Sequence, residues 1–258
     1  SSDTEVILIA YKHWGLDLID KLIGMFAMVI YDEQKNEVIC IRDRAGIKPL
    51  YYYCYEGLFL FASELKAFHC HPNFKKELDT NAIASFVQLG YIPAPFSIFK
   101  NCFKLLPGHY LIYNINEAKM VTRKYWDVST AYLKPKLTIS LDEAKQETEK
   151  ILASAFQYRM ISDVPVGVFL SGGYDSACLT AILQKNTNKP LQTFTIGVSD
   201  SKLNEAPYAK AIAKHLGTDH FEYICSQKDA LDIVVDLPKY FDEPFGDSSA
   251  IPTLMVSK

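Results

Sequence analysis

The chain has 258 residues, which is long for one hydrophobic core, so we expect two domains. Apolar residues make up 49% of the sequence, charged residues make up 22%, and the formal net charge is −3, which argues against nucleic acid or an anionic membrane as the main partner. No apolar run reaches the roughly twenty residues that span a bilayer. The six cysteines stand singly, without a CxxC pair, which is typical of a reducing compartment and predicts a cytoplasmic protein.

The first half of the chain changes from a helical to a β-rich pattern. Apolar positions at helical spacing over residues 4–23 predict a helix that is broken near Gly15. From residue 24, short β-rich runs between polar turns predict an antiparallel meander. A short helix capped by Thr80 or Asn81 and ended at Gly90 follows, and then two further strands. The polar residues 127–140 are interpreted as a linker.

After the linker, strands and helices alternate. Ser140, with Glu143 three residues later, forms a capping-box pattern that predicts a helix to about Met160. The following alternation predicts a parallel, doubly wound sheet, and the ligands of such sheets bind beyond the carboxyl ends of the strands. Those ends lie at Leu170 and at residues 196–198.

The run SGGYDS, residues 171–176, predicts a phosphate site. A buried strand leads through a Ser-Gly-Gly turn into a helix that begins near Asp175, and the first N–H groups of a helix attract anions. Gly172 and Gly173 allow close approach of the backbone, the hydroxyls of Ser171 and Ser176 can donate, and Asp175 can hold a divalent metal that bridges phosphates. The pattern GxxxxGK[ST] does not occur, which excludes a Walker loop. The alternative is that the two glycines form only a tight turn.

Several motifs together carry a family resemblance. SGGxDS after an apolar strand resembles the N-type ATP pyrophosphatases, which cleave ATP between the α and β phosphates and adenylate an acceptor. SDTEVILIAY, GMFAMVIYD, RDRAGIKPLYY and SELKAF resemble the second half of a class II glutamine amidotransferase domain. With LPGHYL, YWD, TFTIGV and NEAPYAKAIAKHLGTDH added, nearly the whole chain resembles the glutamine-hydrolysing asparagine synthetases.

The resemblance implies a fold of mixed α/β and α+β class. Residues 1–126 would form part of an N-terminal-nucleophile αββα sandwich, and residues 141–258 would form part of a pyrophosphatase-type α/β domain with a doubly wound parallel sheet. The implied reaction adenylates aspartate with ATP and Mg²⁺, and ammonia from glutamine then gives asparagine, AMP, pyrophosphate and glutamate. The implied partners are these small molecules, with no nucleic acid and no membrane, and the family often forms homodimers.

The resemblance also implies roles for individual residues. Asp3 matches the aspartate that takes the ammonium group of glutamine, and its alternative role is to cap the first helix. Asp175 matches the magnesium ligand. The residues that match the ATP site are Leu170, Ser171, Gly172, Gly173, Asp175, Ser176, Ile196, Gly197 and Val198.

Two further charged segments have open interpretations. In DEPFGDSS, the carboxylates of Asp242, Glu243 and Asp247 are predicted to lie at the edge of the nucleotide and metal site. The alternative is a turn followed by an N-cap at Asp247. Residues 42–44, Arg-Asp-Arg, are interpreted as a structural ion-pair corner rather than as catalytic charges.

Some motifs of the family do not occur in these 258 residues. They are the nucleophilic cysteine at the mature N-terminus, the arginine loop and Asn-Gly pair of the glutaminase site, and the acidic motif SGEGxDE. We therefore expect residues 1–258 alone to have no glutaminase activity and little or no synthetase activity. Two alternatives are a related amide ligase with another carboxylate acceptor, similar to a β-lactam synthetase or a surface-polysaccharide tailoring enzyme, and a noncatalytic nucleotide-binding remnant.

Overall fold

The computed structural model describes residues 2–198 and 204–257, and the chain divides into two compact units. Unit 1 contains the chain up to Pro135 together with Asp242–Gly246. Unit 2 contains Lys136–Phe241 and the chain from Asp247 onward. The change of unit after Pro135 falls within the segment interpreted as a linker. No sequence pattern predicts that residues 242–246 belong to unit 1.

Unit 1 is built from two antiparallel sheets and the helices beside them. The first sheet has the order β1-β2-β6-β7 and the second has the order β4-β3-β5. The helices are α1 (Asp3–Trp14), α2 (Leu18–Lys21), α3 (Thr80–Leu89) and α4 (Val128–Tyr132), with 3₁₀ turns at Gly15–Asp17 and Leu65–Cys70. The strands are β1 (Ala27–Asp32), β2 (Glu37–Arg42), β3 (Tyr51–Tyr55), β4 (Leu58–Ala62), β5 (Cys102–Lys104), β6 (His109–Asn114) and β7 (Lys119–Lys124).

Unit 1 has four layers, and alternate residues of its inner strands pack against the layers on either side. In β2, Ile39 and Ile41 pack with α1 and α2, whereas Cys40 between them packs against the second sheet. In β3, Tyr52 faces the first sheet and Tyr53 faces α3 and the 3₁₀ turn that follows β4. Because neighbouring strand residues point to opposite faces, these contacts give the layer order helix, sheet, sheet, helix. The mixed α+β fold predicted for this half, an αββα sandwich, is confirmed.

The Arg-Asp-Arg segment forms a buried corner after β2. Asp43 is 1% exposed, and its carboxylate accepts backbone N–H groups of Phe26, Ala45, Ile47 and Lys48 at 3.0–3.3 Å. Arg42 donates to the backbone carbonyls of Lys48, Leu105 and Gly46 at 2.5–2.9 Å. The two side chains thus satisfy backbone groups, so the corner is structural, as interpreted, but is made by hydrogen bonds to the main chain rather than by an ion pair.

Unit 2 is an α/β structure with a parallel three-stranded sheet of order β10-β9-β8 in the described residues. The strands are β8 (Gly167–Phe169), β9 (Gln192–Val198) and β10 (Asp219–Cys225). The helices are α5 (Leu141–Arg159), α6 (Tyr174–Lys185), α7 (Ala206–Leu216), α8 (Gln227–Val234), α9 (Leu237–Tyr240) and α10 (Ala250–Val256). The capping box of Ser140 and Glu143 at the start of α5 is confirmed.

Helices pack against both faces of the sheet of unit 2. On one face, Val168 of β8 packs with α5 and α6, and Leu170 packs against Ala209 and Ala213 of α7. On the opposite face, α10 lies against β9. This arrangement agrees with the doubly wound sheet predicted for the second half. Within the residues that the structure describes, no helix is both long and apolar enough to cross a membrane.

The Asp43 corner predicts a large stability effect in unit 1. Replacing Asp43 with Asn keeps one acceptor but places an amide N–H₂ among backbone donors, so we expect a loss of about 3 kcal/mol in the free energy of unfolding. Both tryptophans of these 258 residues, Trp14 and Trp126, belong to unit 1, so their fluorescence during denaturant titration reports on this unit. The exposed Asp17→Asn is the matched control and should change stability by less than about 0.5 kcal/mol. Equal stability of the two variants would contradict the role of Asp43.

Candidate functional site

The SGGYDS loop lies at the carboxyl end of a parallel strand, as its pattern predicts. Leu170, directly after β8, is 2% exposed, and its N–H donates to the carbonyl of Phe194 in β9 at 2.9 Å. The hydroxyl of Thr195 donates to the carbonyl of Leu170 at 2.5 Å. Gly173 is the N-cap residue of α6. Residues 171–173 therefore form the complete turn between the strand and the helix.

Two serine hydroxyls hold this turn in shape. The N–H of Ser171 donates to Oγ of Ser176 at 3.1 Å, and the two hydroxyl oxygens are 2.8 Å apart. The N–H of Gly173 donates to Oγ of Ser171 at 3.2 Å. The two serines thus stabilise the backbone conformation of the loop in the absence of a ligand.

The amino end of α6 is open for an anion. Among the described residues, no side chain caps this helix, and Gly173 supplies no side chain of its own. The N–H groups of the first turn therefore retain their donor capacity, and the helix dipole adds positive potential at the same point. A phosphate is an anion of suitable size and charge for such a position.

Asp175 lies exposed in that first turn. The described part of the chain contains no group of three or more His, Cys, Asp or Glu side chains that could hold a metal by themselves. Mg²⁺ usually takes one or two carboxylates and completes its shell with waters and substrate phosphates. A single exposed carboxylate beside an anion site fits this kind of metal, which would arrive together with a nucleotide.

A cavity of about 410 Å³ adjoins the loop within unit 2. One part is apolar and lies between the sheet and α10, and the other part is polar and lies at the loop. Pockets of this size with a mostly apolar lining and a few polar groups are typical of small-molecule sites. The lining residues are Phe169, Leu170, Ser171, Ser176, Phe194, Thr195, Ile196, Glu205, Ser249, Pro252, Thr253 and Val256.

Four residues predicted for the ATP site line this cavity: Leu170, Ser171, Ser176 and Ile196. Gly172 lies beside it, where an added β-carbon would approach Cβ of Tyr208 in α7 to 3.0 Å. Gly197 faces away from the cavity, and a β-carbon there would lie 2.5 Å from Cδ1 of Ile224. Close packing of α7 and β10 therefore explains the glycine at 197, and a direct contact with ATP stays a prediction for both Gly197 and Val198.

The lining also includes residues that the sequence analysis missed. Glu205 is the N-cap residue of α7, and Ser249, Pro252, Thr253 and Val256 come from α10 and its start. Glu205 lies at the start of the helix that follows the strand β9 along the chain, seven residues after Val198, and this position is a local signal that could have indicated it. The α10 residues carry no such signal, because only the tertiary fold brings them to the loop.

The carboxylates of the DEPFGDSS segment separate between the two units. Asp242 and Glu243 belong to unit 1. Asp247 belongs to unit 2 and accepts the N–H of Ser249 at 2.8 Å, and this hydrogen bond lowers the pKa of Asp247. Ser249, rather than Asp247, is the N-cap residue of α10. A role at the site edge stays a prediction for all three carboxylates.

Asp3 is the first residue of α1 and is exposed. The N-cap of this helix is Ser2, whose hydroxyl accepts the N–H of Glu5 at 3.4 Å. Capping therefore does not account for the aspartate at position 3. Its role towards glutamine stays a prediction.

Comparison with known families and proteins agrees with this division of the chain. Residues 1–126 match the family described as glutamine amidotransferase domain, and residues 147–258 match the family described as asparagine synthase. A putative glutamine-hydrolysing asparagine synthetase 2 of Methanocaldococcus jannaschii is 38% identical over the whole chain, which covers 50% of that protein. Asparagine synthetase 3 of Bacillus subtilis is 33% identical over 94% of the chain, which covers 42% of that protein.

A protein with a different name is also similar. Amidase chry2 of Gibberella zeae is 29% identical over the whole chain, which covers 40% of that protein. The chain thus spans half or less of the length of these relatives. The two domain families nevertheless occur in the predicted order, and the resemblance to the glutamine-hydrolysing asparagine synthetases is confirmed: residues 1–126 belong with the glutamine amidotransferase domains and residues 147–258 with the asparagine synthases.

Proposed function

We propose that unit 2 binds ATP in the cavity beside the SGGYDS loop and that the full-length protein makes asparagine. The observation that carries the proposal is the start of α6, which no described side chain caps and which Ser171 and Ser176 shape, next to a cavity with an apolar part and a polar part. The nucleobase would occupy the apolar part beside Ile196 and Pro252. The β and γ phosphates would then accept hydrogen bonds from the N–H groups of the first turn of α6.

The proposed chemistry follows from the poor reactivity of a carboxylate. A carboxylate oxygen of aspartate attacks the α phosphorus of ATP, and the bond to the bridging oxygen breaks, so pyrophosphate leaves with the electron pair. Ammonia attacks the activated carbonyl carbon, loses a proton and displaces AMP. The α6 terminus stabilises the negative charge that grows on pyrophosphate as it leaves. When bound, Mg²⁺ would neutralise part of the phosphate charge, with Asp175 as its proposed ligand.

The glutamine part of the reaction is proposed for unit 1. There we assign Asp3 to the ammonium group of glutamine, since its carboxylate is exposed in the first turn of α1. Aspartate is proposed as the acceptor because the asparagine synthetase relatives cover nearly all of the chain. The similarity to a protein named as an amidase makes another carboxylate acceptor the second candidate.

Isotope transfer tests the reaction directly. We expect the full-length protein, given ATP, Mg²⁺, ammonium and aspartate labelled with ¹⁸O in its side-chain carboxylate, to place one ¹⁸O atom in AMP. The reason is that the attacking oxygen remains on phosphorus when ammonia displaces AMP. Mass spectrometry of the products measures this transfer. Label in inorganic phosphate would contradict adenylation. If no asparagine forms and another carboxylate is amidated instead, aspartate is not the acceptor.

The loop serines predict a loss of nucleotide affinity in Ser176→Ala. This change removes the acceptor of the Ser171 N–H and a hydrogen bond between the two hydroxyls, so the turn loses its shape. We expect the Kd for Mg-ATP, measured by calorimetry, to rise about tenfold, which corresponds to one or two hydrogen bonds. Ser154→Ala, at an exposed position of α5, is the matched control and should leave the affinity unchanged. Equal affinities in the two variants would contradict the proposed site.

If Asp175 binds Mg²⁺, the effect of Asp175→Asn on ATP affinity should depend on the metal. We expect ATP binding in the presence of Mg²⁺ to weaken about tenfold or more, because a neutral amide is a poor Mg²⁺ ligand. In EDTA the same substitution should leave ATP affinity unchanged or raise it slightly, since it removes a negative charge near the phosphates. The control is Asp163→Asn, an exposed carboxylate elsewhere in unit 2. An equal loss with and without Mg²⁺ would exclude Asp175 as the metal ligand.

A further inference from the structure

One residue in the wall of the unit 2 cavity has no part in the proposed function. Glu205 lines the cavity beside the SGGYDS loop, and it is the one charged side chain among the described lining residues. The triphosphate of ATP is an anion, so a carboxylate in the same cavity repels it. This repulsion weakens binding unless the carboxylate also accepts a hydrogen bond from the ligand or contacts a cation. The position of Glu205 therefore requires a partner.

The main chain of Glu205 is fixed beside the loop. Its carbonyl accepts the N–H groups of Tyr208 and Ala209 at 3.0 and 3.1 Å, in the first turn of α7. Ala209 is fully buried and packs against Leu170, the residue that precedes the loop. A β-carbon added to Gly172 would lie 3.5 Å from Cβ of Glu205. The glutamate side chain therefore begins directly beside the Ser-Gly-Gly turn.

Local structure does not account for the Glu205 carboxylate. A side chain at a helix start commonly caps the helix, but here the N–H of Ala206 donates to Oδ1 of Asn204 at 3.1 Å. The side chain of Glu205 makes no capping hydrogen bond to α7. Over residues 2–198 and 204–257, no other side chain forms a hydrogen bond or an ion pair with it. Both of its oxygens are thus available to a ligand within the described part of the chain.

The donors of ATP limit what this carboxylate can contact. A carboxylate is an acceptor, and ATP offers it the amino group of adenine and the 2′- and 3′-hydroxyls of ribose, whereas the phosphates have only acceptor oxygens. The proposed function places the base beside Ile196 and Pro252 and the phosphates at the start of α6. The ribose connects these groups, so it lies where the apolar part of the cavity meets the loop. Glu205 is the charged acceptor that the described wall provides on the loop side.

The place of Glu205 along the chain agrees with a ribose contact. In the α/β folds that bind dinucleotides, a strand leads through a glycine-rich turn into a helix that holds the phosphates, and an acidic residue further along the chain binds a ribose hydroxyl. In unit 2 the strand β8, the SGGYDS loop and α6 have this order, and Glu205 lies after the next strand, β9. Because β8 and β9 are parallel neighbours, the segments that follow them leave the same edge of the sheet.

We propose that Glu205 binds the ribose hydroxyls of ATP and makes the site selective for ribonucleotides over deoxyribonucleotides. The proposal rests on the proposed function, because it takes this cavity as the ATP site. A hydrogen bond to a carboxylate is stronger than one between neutral groups. A nucleotide without the hydroxyl leaves the charged acceptor without its donor, and the repulsion between carboxylate and phosphates is then not offset. The selectivity thus arises from an unpaired charge rather than from a steric clash.

Deoxynucleotides test the contact in the full-length protein. We expect wild-type protein to bind Mg-ATP about tenfold more tightly than at least one of 2′-deoxy-ATP and 3′-deoxy-ATP, with Kd measured by calorimetry. In Glu205→Ala this ratio should fall to about twofold or less, because no acceptor is left to distinguish the nucleotides. Glu205→Gln keeps a neutral acceptor and should give an intermediate ratio. Glu147→Ala, which removes an exposed carboxylate of α5 in the same unit, is the matched control and should keep the wild-type ratio.

The outcomes separate this proposal from the proposed function. Wild-type protein that does not bind ATP overturns both. Wild-type protein that binds ATP, together with a Glu205→Ala variant that keeps the same ratio, overturns the ribose contact alone. Should Glu205→Ala fail to fold, Glu205→Gln decides the question, and an unchanged ratio in that variant overturns the contact.

Two other results would assign Glu205 to a different partner and would also overturn the ribose contact. A loss in Glu205→Ala that is equal for ATP and the deoxynucleotides and disappears in EDTA would identify a metal ligand. An unchanged Kd for ATP with a raised KM for aspartate would identify a partner for the ammonium group of the acceptor.

Discussion

The two sheets of unit 1 pack face to face, and the rest of this unit depends on that contact. Strands β2 and β3 are apolar on both sides because each is buried on both sides, by a sheet on one face and by helices on the other. A chain that leaves such a strand must bury its own polar backbone for several residues. The Arg42–Asp43 corner meets this requirement, since the guanidinium satisfies carbonyls and the carboxylate satisfies N–H groups. The charged corner is thus a consequence of the double packing.

Unit 2 uses its backbone in the opposite way. No side chain in the described ranges 2–198 and 204–257 caps the backbone N–H groups at the start of α6, and the neighbouring serines bond to each other and to the turn. A helix of 12 residues tolerates one uncapped end because packing of Thr180, Ile182 and Leu183 stabilises it elsewhere. The N–H groups of the first turn, which a capping side chain would otherwise accept, are thereby available to donate hydrogen bonds to a ligand. In unit 1, side chains pair with the backbone N–H groups of the corner, whereas in unit 2 the N–H groups at the start of α6 are available to a ligand. This difference separates structural polar residues from proposed functional ones.

Features that depend on neighbours in sequence could be predicted well. The capping box at Ser140, the helix end at Gly90 and the strand–turn–helix around SGGYDS all follow from short patterns. The cap of α3 was predicted wrongly: Thr80 or Asn81 was expected, whereas Asp79 is the N-cap residue, and its carboxylate accepts the N–H groups of Asn81 and Ala82. Asp, Thr and Asn are all good capping residues, so the residue type alone does not select among these three neighbours. The loop half of the cavity was foreseen for the same local reasons. The half formed by α10 was not, because tertiary packing alone brings it there.

The contacts of Asp242 and Glu243 within unit 1 lie furthest from any sequence signal. Asp242 accepts the backbone N–H of Lys66 at 3.2 Å, and Glu243 lies 2.6 Å from the ammonium of Lys104. The partners of Asp242 and Glu243 are 176 and 145 residues away, and no periodicity connects such distant positions. A consequence concerns exchange of domains between relatives. A hybrid joined at residues 127–140 would take its first unit from one parent and the residues at 242–246 from the other. The hydrophobic core of unit 1 would come from a single parent, but this inserted segment would not. Compatibility at Lys66 and Lys104 would therefore restrict which halves recombine, even where each half is well formed by itself.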